Sequence, residues 1–358
     1  MIKTIEWKDG VVKVLDQSVL PHEVRYIDCT DHAMVADCIK SLKVRGAPAI
    51  GIAAAMGIAL AAQGIKAKAA DELLQKLELV YSDFLATRPT AVNIRWIVER
   101  LKIFLGDRKN ASVDELKAAL IQEANEILTE DIEVNRAIGR WGAAFIRDGD
   151  TIITHCNAGA LATGGYGTAT APIREAVKQG KKIRVFMDET RPVLQGARLT
   201  AWELMEDGID VTLIVDSAAG TLLKQGEIDL AIVGTDRTTK NGDVANKIGT
   251  YPLAVLCHVN KIPFYVAAPL SSVDFTLNSG QLIKIEERRA EEVTLIGGKR
   301  IAPQGVKVRN IAFDVTPASL VSAFFTEKGV FRPSDLKKLN MKDINYDEIR
   351  IIHKEHVS

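Results

Sequence analysis

The sequence predicts an α/β protein: a C-terminal Rossmann-like parallel sheet with helices on both faces, preceded by a mainly helical N-terminal domain that opens with a small antiparallel sheet. Three observations lead there. Beyond Gly149, short apolar runs alternate with helical segments, the rhythm of a parallel sheet covered on both sides. Between residues 31 and 146 the apolar spacing is helical throughout. At the start, Asp9-Gly10 sits between two short apolar runs, a strong local hairpin signal. The change of rhythm sets the expected boundary, with one domain over residues 1–147 and a second, catalytic one over 148–358.

Taken in order, the strands of the hairpin fall at 2–7 and 11–15, and helices follow at 33–42, 48–62, 69–85, 91–105 and 113–146. Arg88-Pro89-Thr90 separates two of these helices, and Gly106-Asp107 ends another. The run 46–65 is uncharged but rich in alanine and glycine rather than leucine, which reads as a tightly packed buried helix. In the second domain, strands are expected at 151–154, 183–187, 211–215, 230–234 and 263–267, and helices at 172–178, 196–207, 218–225 and 251–259. Right-handed crossovers would bring the carboxyl ends of these strands to one edge. The charged segment 332–358, with Ile349, Ile351 and Ile352, would pack on its own chain or on a partner.

Composition narrows the partners. Lys+Arg 46 against Asp+Glu 46 gives a formal net charge of +0, so neither nucleic acid nor an anionic membrane has global electrostatic support. The four cysteines, Cys29, Cys38, Cys156 and Cys257, form no Cys-x-x-Cys pair and no structural-zinc spacing with histidine. No metal site is expected. With no secretory pattern at the N-terminus, a cytoplasmic protein with free thiols is expected. Gly-x-Gly-x-x-Gly after the first parallel strand and the Walker pattern are both missing, so neither NAD nor ATP is indicated.

Chemistry-bearing residues collect where the parallel strands end: His155-Cys156-Asn157, Asp188-Glu189-Thr190-Arg191, Asp216-Ser217 and Thr235-Asp236-Arg237. In open α/β sheets that edge is where ligands bind. Cys156, followed by the small, glycine-rich stretch through Gly164-Gly165-Tyr166-Gly167, is either a base or nucleophile near backbone amides or a small buried hydrophobe. Asp188 and Asp216 read first as caps of the following helices. Arg45-Gly46-Ala47 ahead of Pro48, Arg88 on its bend, and Asn246-Lys247 ahead of a helix place cations and amides where phosphate is held. Together they favour a phosphorylated small molecule.

The segments 155–163, 189–204 and 241–251, with Phe313-Asp314-Val315-Thr316-Pro317 and Thr326-Glu327-Lys328-Gly329-Val330, resemble the methylthioribose-1-phosphate isomerase family. That family also contains ribose-1,5-bisphosphate isomerases and regulatory subunits of a translation-initiation nucleotide-exchange factor. The likeness runs from residue 45 to 330. It implies an aldose-ketose isomerase that converts 5-methylthioribose 1-phosphate to the ribulose phosphate in methionine salvage, without metal or organic cofactor, as a homodimer. It also implies a catalytic thiol at Cys156, a catalytic acid at Asp236, and substrate contacts at Arg45, Gly46, Ala47, Arg88, Gln195, Asn246 and Lys247. Thr235, Thr238-Thr239-Lys240 and Ile311 depart from the family pattern.

The implied substrate carries phosphate on its anomeric oxygen, so the aldehyde is masked and the ring must be opened on the enzyme. Asp236, kept protonated by apolar or anionic surroundings, would protonate the ring oxygen, and Cys156 would take the proton from carbon 2. A cis-enediol and a direct hydride shift both remain open. So do 5-deoxyribose 1-phosphate or ribose 1,5-bisphosphate as substrate, and a regulatory subunit that binds sugar phosphates or nucleotides without turnover.

Overall fold

The computed structural model describes residues 2–88 and 92–339. Pro89, Thr90, the start of the helix expected at 91–105, and the isoleucines of the C-terminal segment lie outside the described residues. Two compact units are present: Met1–Glu133 with Gly159–Gly167, and Val134–Ala158 with Thr168–Ser358. The division thus falls inside a long helix rather than after it at the expected 147/148, and a short later segment belongs to the first unit.

In the first unit β1 (Ile5–Lys8), β2 (Val11–Leu15) and β3 (Tyr26–Cys29) form an antiparallel sheet. Asp9 and Gly10 both take positive φ, 51° and 79°, as a tight two-residue hairpin requires. The helices are α1 (His32–Lys40), α2 (Ala47–Gly64), α3 (Ala70–Thr87), α4 (Val92–Gly106) and α5 (Val113–Ala143). Asp31 caps α1 by accepting the Met34 N–H at 2.9 Å. Helix α2 is long and apolar enough to cross a membrane, yet 78% of it is buried inside the protein. Its alanines and glycines let neighbours approach closely: a methyl on Gly57 would lie 2.3 Å from the Phe84 ring of α3. Residues 159–167 join this unit through Thr4 Oγ1 donating to Ala160 O (2.9 Å), Gln17 Nε2 to Leu161 O (2.8 Å) and Gly164 N–H to Asp131 (2.6 Å).

The second unit contains β4 (Thr151–Thr154), α6 (Thr170–Lys178), β5 (Arg184–Asp188), α7 (Ala201–Glu206), β6 (Asp210–Ile214), α8 (Ala219–Gln225) and β7 (Leu230–Val233). It continues with β8 (Arg237–Thr239), β9 (Val244–Lys247), α9 (Thr250–Asn260), β10 (Phe264–Ala267), β11 (Val273–Asp274), α10 (Glu291–Thr294), β12 (Leu295–Ile296) and β13 (Lys299–Arg300). It closes with β14 (Phe313–Thr316), β15 (Ala323–Thr326), β16 (Gly329–Phe331) and α11 (Pro333–Leu336).

The main sheet has seven strands in the order β16-β15-β10-β7-β4-β5-β6. All neighbours pair in parallel except β16, which is antiparallel to β15. Counted along the chain, the six parallel strands run 3-2-1-4-5-6, a doubly wound order. Successive strand residues enter opposite cores. Ile152, Val185, Leu230, Ile232 and Phe325 pack with Ile173 of α6, Leu204 of α7 and Ile138 of α5, whereas Ile153, Ala231, Val233, Phe264 and Phe324 pack with Leu223 of α8 and Leu253 and Cys257 of α9. Helices therefore cover both faces. The strand order reverses between β4 and β7, so their carboxyl ends flank the crevice where such sheets bind ligands. A second sheet, β11-β8-β9-β14, fills what the sequence left as connections, and it carries Asn246 and Lys247 on β9.

Candidate active site

The turn after β4 is buried and fixed by side chains from the end of β5 and from the helical segment that follows it. Cys156, 8% exposed, has φ of 64°, a left-handed conformation that a non-glycine residue adopts only when its surroundings hold it there. Its N–H donates to Thr190 Oγ1 at 2.9 Å, and its carbonyl accepts the Thr200 hydroxyl at 2.8 Å. Asn157 is held by the same helix: its Nδ2 donates to Thr200 Oγ1 at 3.1 Å and to Glu203 Oε1 at 2.8 Å. Glu203 in turn pairs with Arg174 at 3.1 Å, whose Nε reaches Asp207 at 2.7 Å. Glu203 and Arg174 are both buried, so their charges are compensated where water cannot do it.

His155, 1% exposed, turns away from this helix. Its Nε2 lies 2.8 Å from the Ile248 carbonyl and its Nδ1 2.9 Å from Asp188 Oδ2. A carbonyl only accepts, so Nε2 carries a hydrogen. Burial works against the imidazolium, but the Asp188 hydrogen bond and charge, the Ile248 carbonyl and Asp216 outweigh it and raise the His155 pKa. Burial raises that of Asp188 too, with Asp216 adding to it against the opposing pull of His155. With Nε2 donating to the Ile248 carbonyl, the 2.9 Å Nδ1–Oδ2 hydrogen bond requires a hydrogen on Nδ1 or on Oδ2.

Past β5 the chain makes a π-turn, Gly196–Thr200, leading into α7. Gly196 is required there, since a methyl on it would lie 1.8 Å from the Asp188 carbonyl oxygen. Gln195, 4% exposed, has an Oε1 with no hydrogen-bond partner in the structure, an arrangement suited to a ligand hydroxyl. Asp216 accepts the Thr190 and Arg191 N–H groups, both at 2.7 Å. Asp188 and Asp216 thus tie strand ends together rather than serving simply as helix caps. Among the described residues, His155, Asp188 and Asp216 could present metal-ligand atoms within 4.8 Å of one another. Both Asp216 oxygens and both imidazole nitrogens are already engaged, so a metal would have to displace existing hydrogen bonds.

After β7, a methyl on Gly234 would lie 2.6 Å from Ala158 Cβ, so the segment leading to Asp236 passes close behind the Cys156 turn. Asp236 is exposed, and its N–H donates to Ala245 O at 3.0 Å. Asn246 and Lys247 are buried: Asn246 Nδ2 donates to Thr250 Oγ1 at 3.0 Å, and Lys247 Nζ donates to Ala312 O at 2.9 Å and sits 4.2 Å from the centre of the Phe313 ring. Asp314 accepts the Gly249 and Tyr251 N–H groups at 2.8 and 3.1 Å, fixing the start of α9.

The second unit carries Cys156, Gln195 and Asp236 on the segments after β4, β5 and β7, and Asn246 and Lys247 at the end of β9. Arg45, Gly46, Ala47 and Arg88 belong to the first unit. Arg45 and Arg88 are half-buried, and Gly46 opens α2 at φ 96°, where a methyl would lie 2.4 Å from Ala162 Cα. The sequence placed His155 and Thr190 at the functional edge without a role, and it gave no sign of Thr200 and Glu203 as parts of the site. Thr200 and Glu203 fall within the helix expected at 196–207, where a polar residue carries no local mark of its partner.

A doubly wound sheet with a buried thiol at its switch point defines the class, and the family follows from comparison. Residues 43–333 match the model of the Initiation factor 2 subunit family, and the chain belongs to that family. Within it, the chain is 55% identical over 331 residues to a methylthioribose-1-phosphate isomerase of Syntrophotalea carbinolica, covering 92% of this chain and 96% of that one. It is also 55% identical over 341 residues to one of Thermotoga neapolitana, covering 94% and 98%. Among solved structures, 5-methylthioribose 1-phosphate isomerase from Pyrococcus horikoshii superposes with a TM-score of 0.90 at 46% identity, covering 96% of each chain. The translation initiation factor eIF-2B subunit delta from A. fulgidus superposes with a TM-score of 0.87, also at 46% identity, covering 96% of this chain and 99% of that one.

Proposed function

We propose that this chain is an aldose-ketose isomerase that converts 5-methylthioribose 1-phosphate to 5-methylthioribulose 1-phosphate in methionine salvage. The observation that carries it is the Cys156 turn at the switch point, held in a left-handed conformation by Thr190 and Thr200 within a chain more than half identical to isomerases of that name. Asp236 gives a proton to the ring oxygen as the bond from carbon 1 to that oxygen breaks. Cys156, as thiolate, takes the proton from carbon 2, leaving an enol phosphate across carbons 1 and 2. Returning the proton from Cys156 to carbon 1, as the carbon 2 hydroxyl proton passes to the Asp236 carboxylate, yields the ketose phosphate and restores both groups. Since Asp236 is exposed, the phosphate dianion of the substrate supplies the negative field that keeps its proton on. Lys247, Arg45 and Arg88 hold anionic oxygen, Gly46 and Ala47 offer backbone at the start of α2, and Gln195 and Asn246 take sugar hydroxyls. The working unit in this proposal is a cytoplasmic homodimer.

Phosphorus NMR on methylthioribose 1-phosphate, with 5-deoxyribose 1-phosphate and ribose 1,5-bisphosphate as alternatives, tests the assignment. Conversion is expected fastest for the methylthio sugar. Equal or faster turnover of another sugar reassigns the substrate, and no turnover of any leaves ligand binding without catalysis. In heavy water the proton-transfer route places deuterium at carbon 1; complete retention of hydrogen over many turnovers points to a hydride shift.

A further inference from the structure

His155 takes no part in the proton transfers above, yet its ring touches three of the segments that the proposed chemistry needs. It directly precedes Cys156. Its Nδ1 is bonded to Asp188, and from the same strand end Thr190 Oγ1 accepts the Cys156 N–H and itself donates to the Asp188 carbonyl at 3.1 Å. On its other side, Nε2 donates to the carbonyl of Ile248, the residue directly after Asn246 and Lys247. Gly249, at φ 105°, makes room for the ring: a methyl there would lie 2.6 Å from His155 Cε1 and 2.8 Å from Nε2. Asp216, Glu189, Asp314 and Cys257 are the other titratable groups coupled electrostatically to this pair among the described residues.

We propose that His155 is a positioning residue, clamped between Asp188 and Ile248 so that the Cys156 turn and the Asn246–Lys247 strand are set in one frame. The proposal rests on the roles assigned above to Cys156, Asn246 and Lys247. It accounts for a histidine whose nitrogens are both bonded to protein and for a glycine that leaves space for its ring. It also links the proton-accepting group to the groups that hold the substrate through one side chain.

The test combines kinetics with alkylation of Cys156 by iodoacetamide, followed at that residue by mass spectrometry, a readout that needs no substrate. In His155→Ala the Cys156 turn loses its tie to the Ile248 segment and the imidazole N–H groups beside it, and a thiolate with fewer hydrogens near it is less favoured. Alkylation should therefore shift to higher pH, with kcat/KM falling about 100-fold, the scale of a small misplacement of reacting groups, and KM rising as the Asn246–Lys247 strand loosens. Asp188→Asn leaves an amide N–H to donate to Nδ1 and removes the charge, so it should keep most of the activity and nearly the wild-type alkylation profile. Gly249→Ala presses on the ring from the far side and should reproduce the His155→Ala defect without deleting a polar group; it also serves if His155→Ala does not fold. A folded His155→Ala or Gly249→Ala variant with wild-type kcat/KM and alkylation overturns the proposal. Lost activity with an unchanged alkylation profile overturns it as well, because the thiol is then not in the frame. If the wild type turns over no sugar phosphate while the alkylation shift is present, the activity assignment fails and the clamp stands.

Discussion

The ends of β4 and β7 flank the same crevice and carry the two proposed catalytic groups, but the fold treats them differently. After β4, Cys156 is buried, its backbone N–H and carbonyl both take side-chain partners, and the residues on either side of it are anchored to Asp188, Ile248 and Glu203. After β7, Asp236 is exposed and leads directly into the short strand β8. The thiol is enclosed by the protein, whereas the acid lies exposed at the surface. One consequence is that the two groups should respond differently to mutation.

The largest effect is expected for the thiol. Cys156→Ala should lower kcat by about 1,000-fold or more, the scale of losing a positioned base, with little change in KM, measured by phosphorus NMR at saturating substrate. Cys156→Ser should restore only a small part, since a hydroxyl is a far weaker proton acceptor at neutral pH. Wild-type activity in either variant would return the cysteine to the role of a buried hydrophobe. Asp236→Asn comes next, with kcat about 100-fold down and a melting temperature unchanged, because exposed substitutions away from special features fall within about 0.5 kcal/mol. A large loss of stability in Asp236→Asn would break the comparison, for it would mean that the acid too is built into the fold.

How much of this was legible in the sequence follows the same division. Runs such as Thr151–Thr154 and Leu230–Val233 are short, apolar and fully buried, so the parallel sheet and the strand end that carries Cys156 could be read directly. Strands β8 and β9, reading Arg-Thr-Thr and Val-Ala-Asn-Lys, have neither apolar alternation nor length, and they exist because they pair with each other and with β11 and β14. Long-range pairing of that kind leaves no local period. The same holds for His155, whose partners lie at positions 188 and 248, and for Asp216, which looked like a helix cap until the Thr190 and Arg191 amides were found on it. Gly46 was legible as a helix opening, but its close approach to Ala162 was not.

The rigid side of the comparison can be probed through packing alone. Gly196→Ala places a methyl 1.8 Å from the Asp188 carbonyl oxygen, and backbone there cannot yield without moving Thr190 and with it the Cys156 turn. A destabilisation of about 3 kcal/mol is expected, the upper range for overpacking, seen as a lower urea midpoint. A smaller Gly196→Ala effect would show that the π-turn can shift, and that the thiol turn is less firmly set than its hydrogen bonds suggest.

The smallest effect concerns pH. His155 has its pKa raised in the folded protein by the Asp188 and Ile248 contacts, against the opposing effect of burial, so the folded state holds a proton that the unfolded chain releases near the ordinary imidazole value of about 6.5. That contribution to stability is complete below this value and is lost as pH rises through the folded value. The raised pKa of Asp188 acts in the same sense at lower pH, because there too the folded state keeps a proton that the unfolded chain gives up. Urea midpoints followed upward from pH 6 should therefore decline in the wild type, and decline less in Asp188→Asn, where the imidazole has lost the carboxylate that holds its charge. Equal slopes in the two proteins would mean that the pair releases its proton without cost to the fold, and the thiol turn would then owe its rigidity to Thr190 and Thr200 alone.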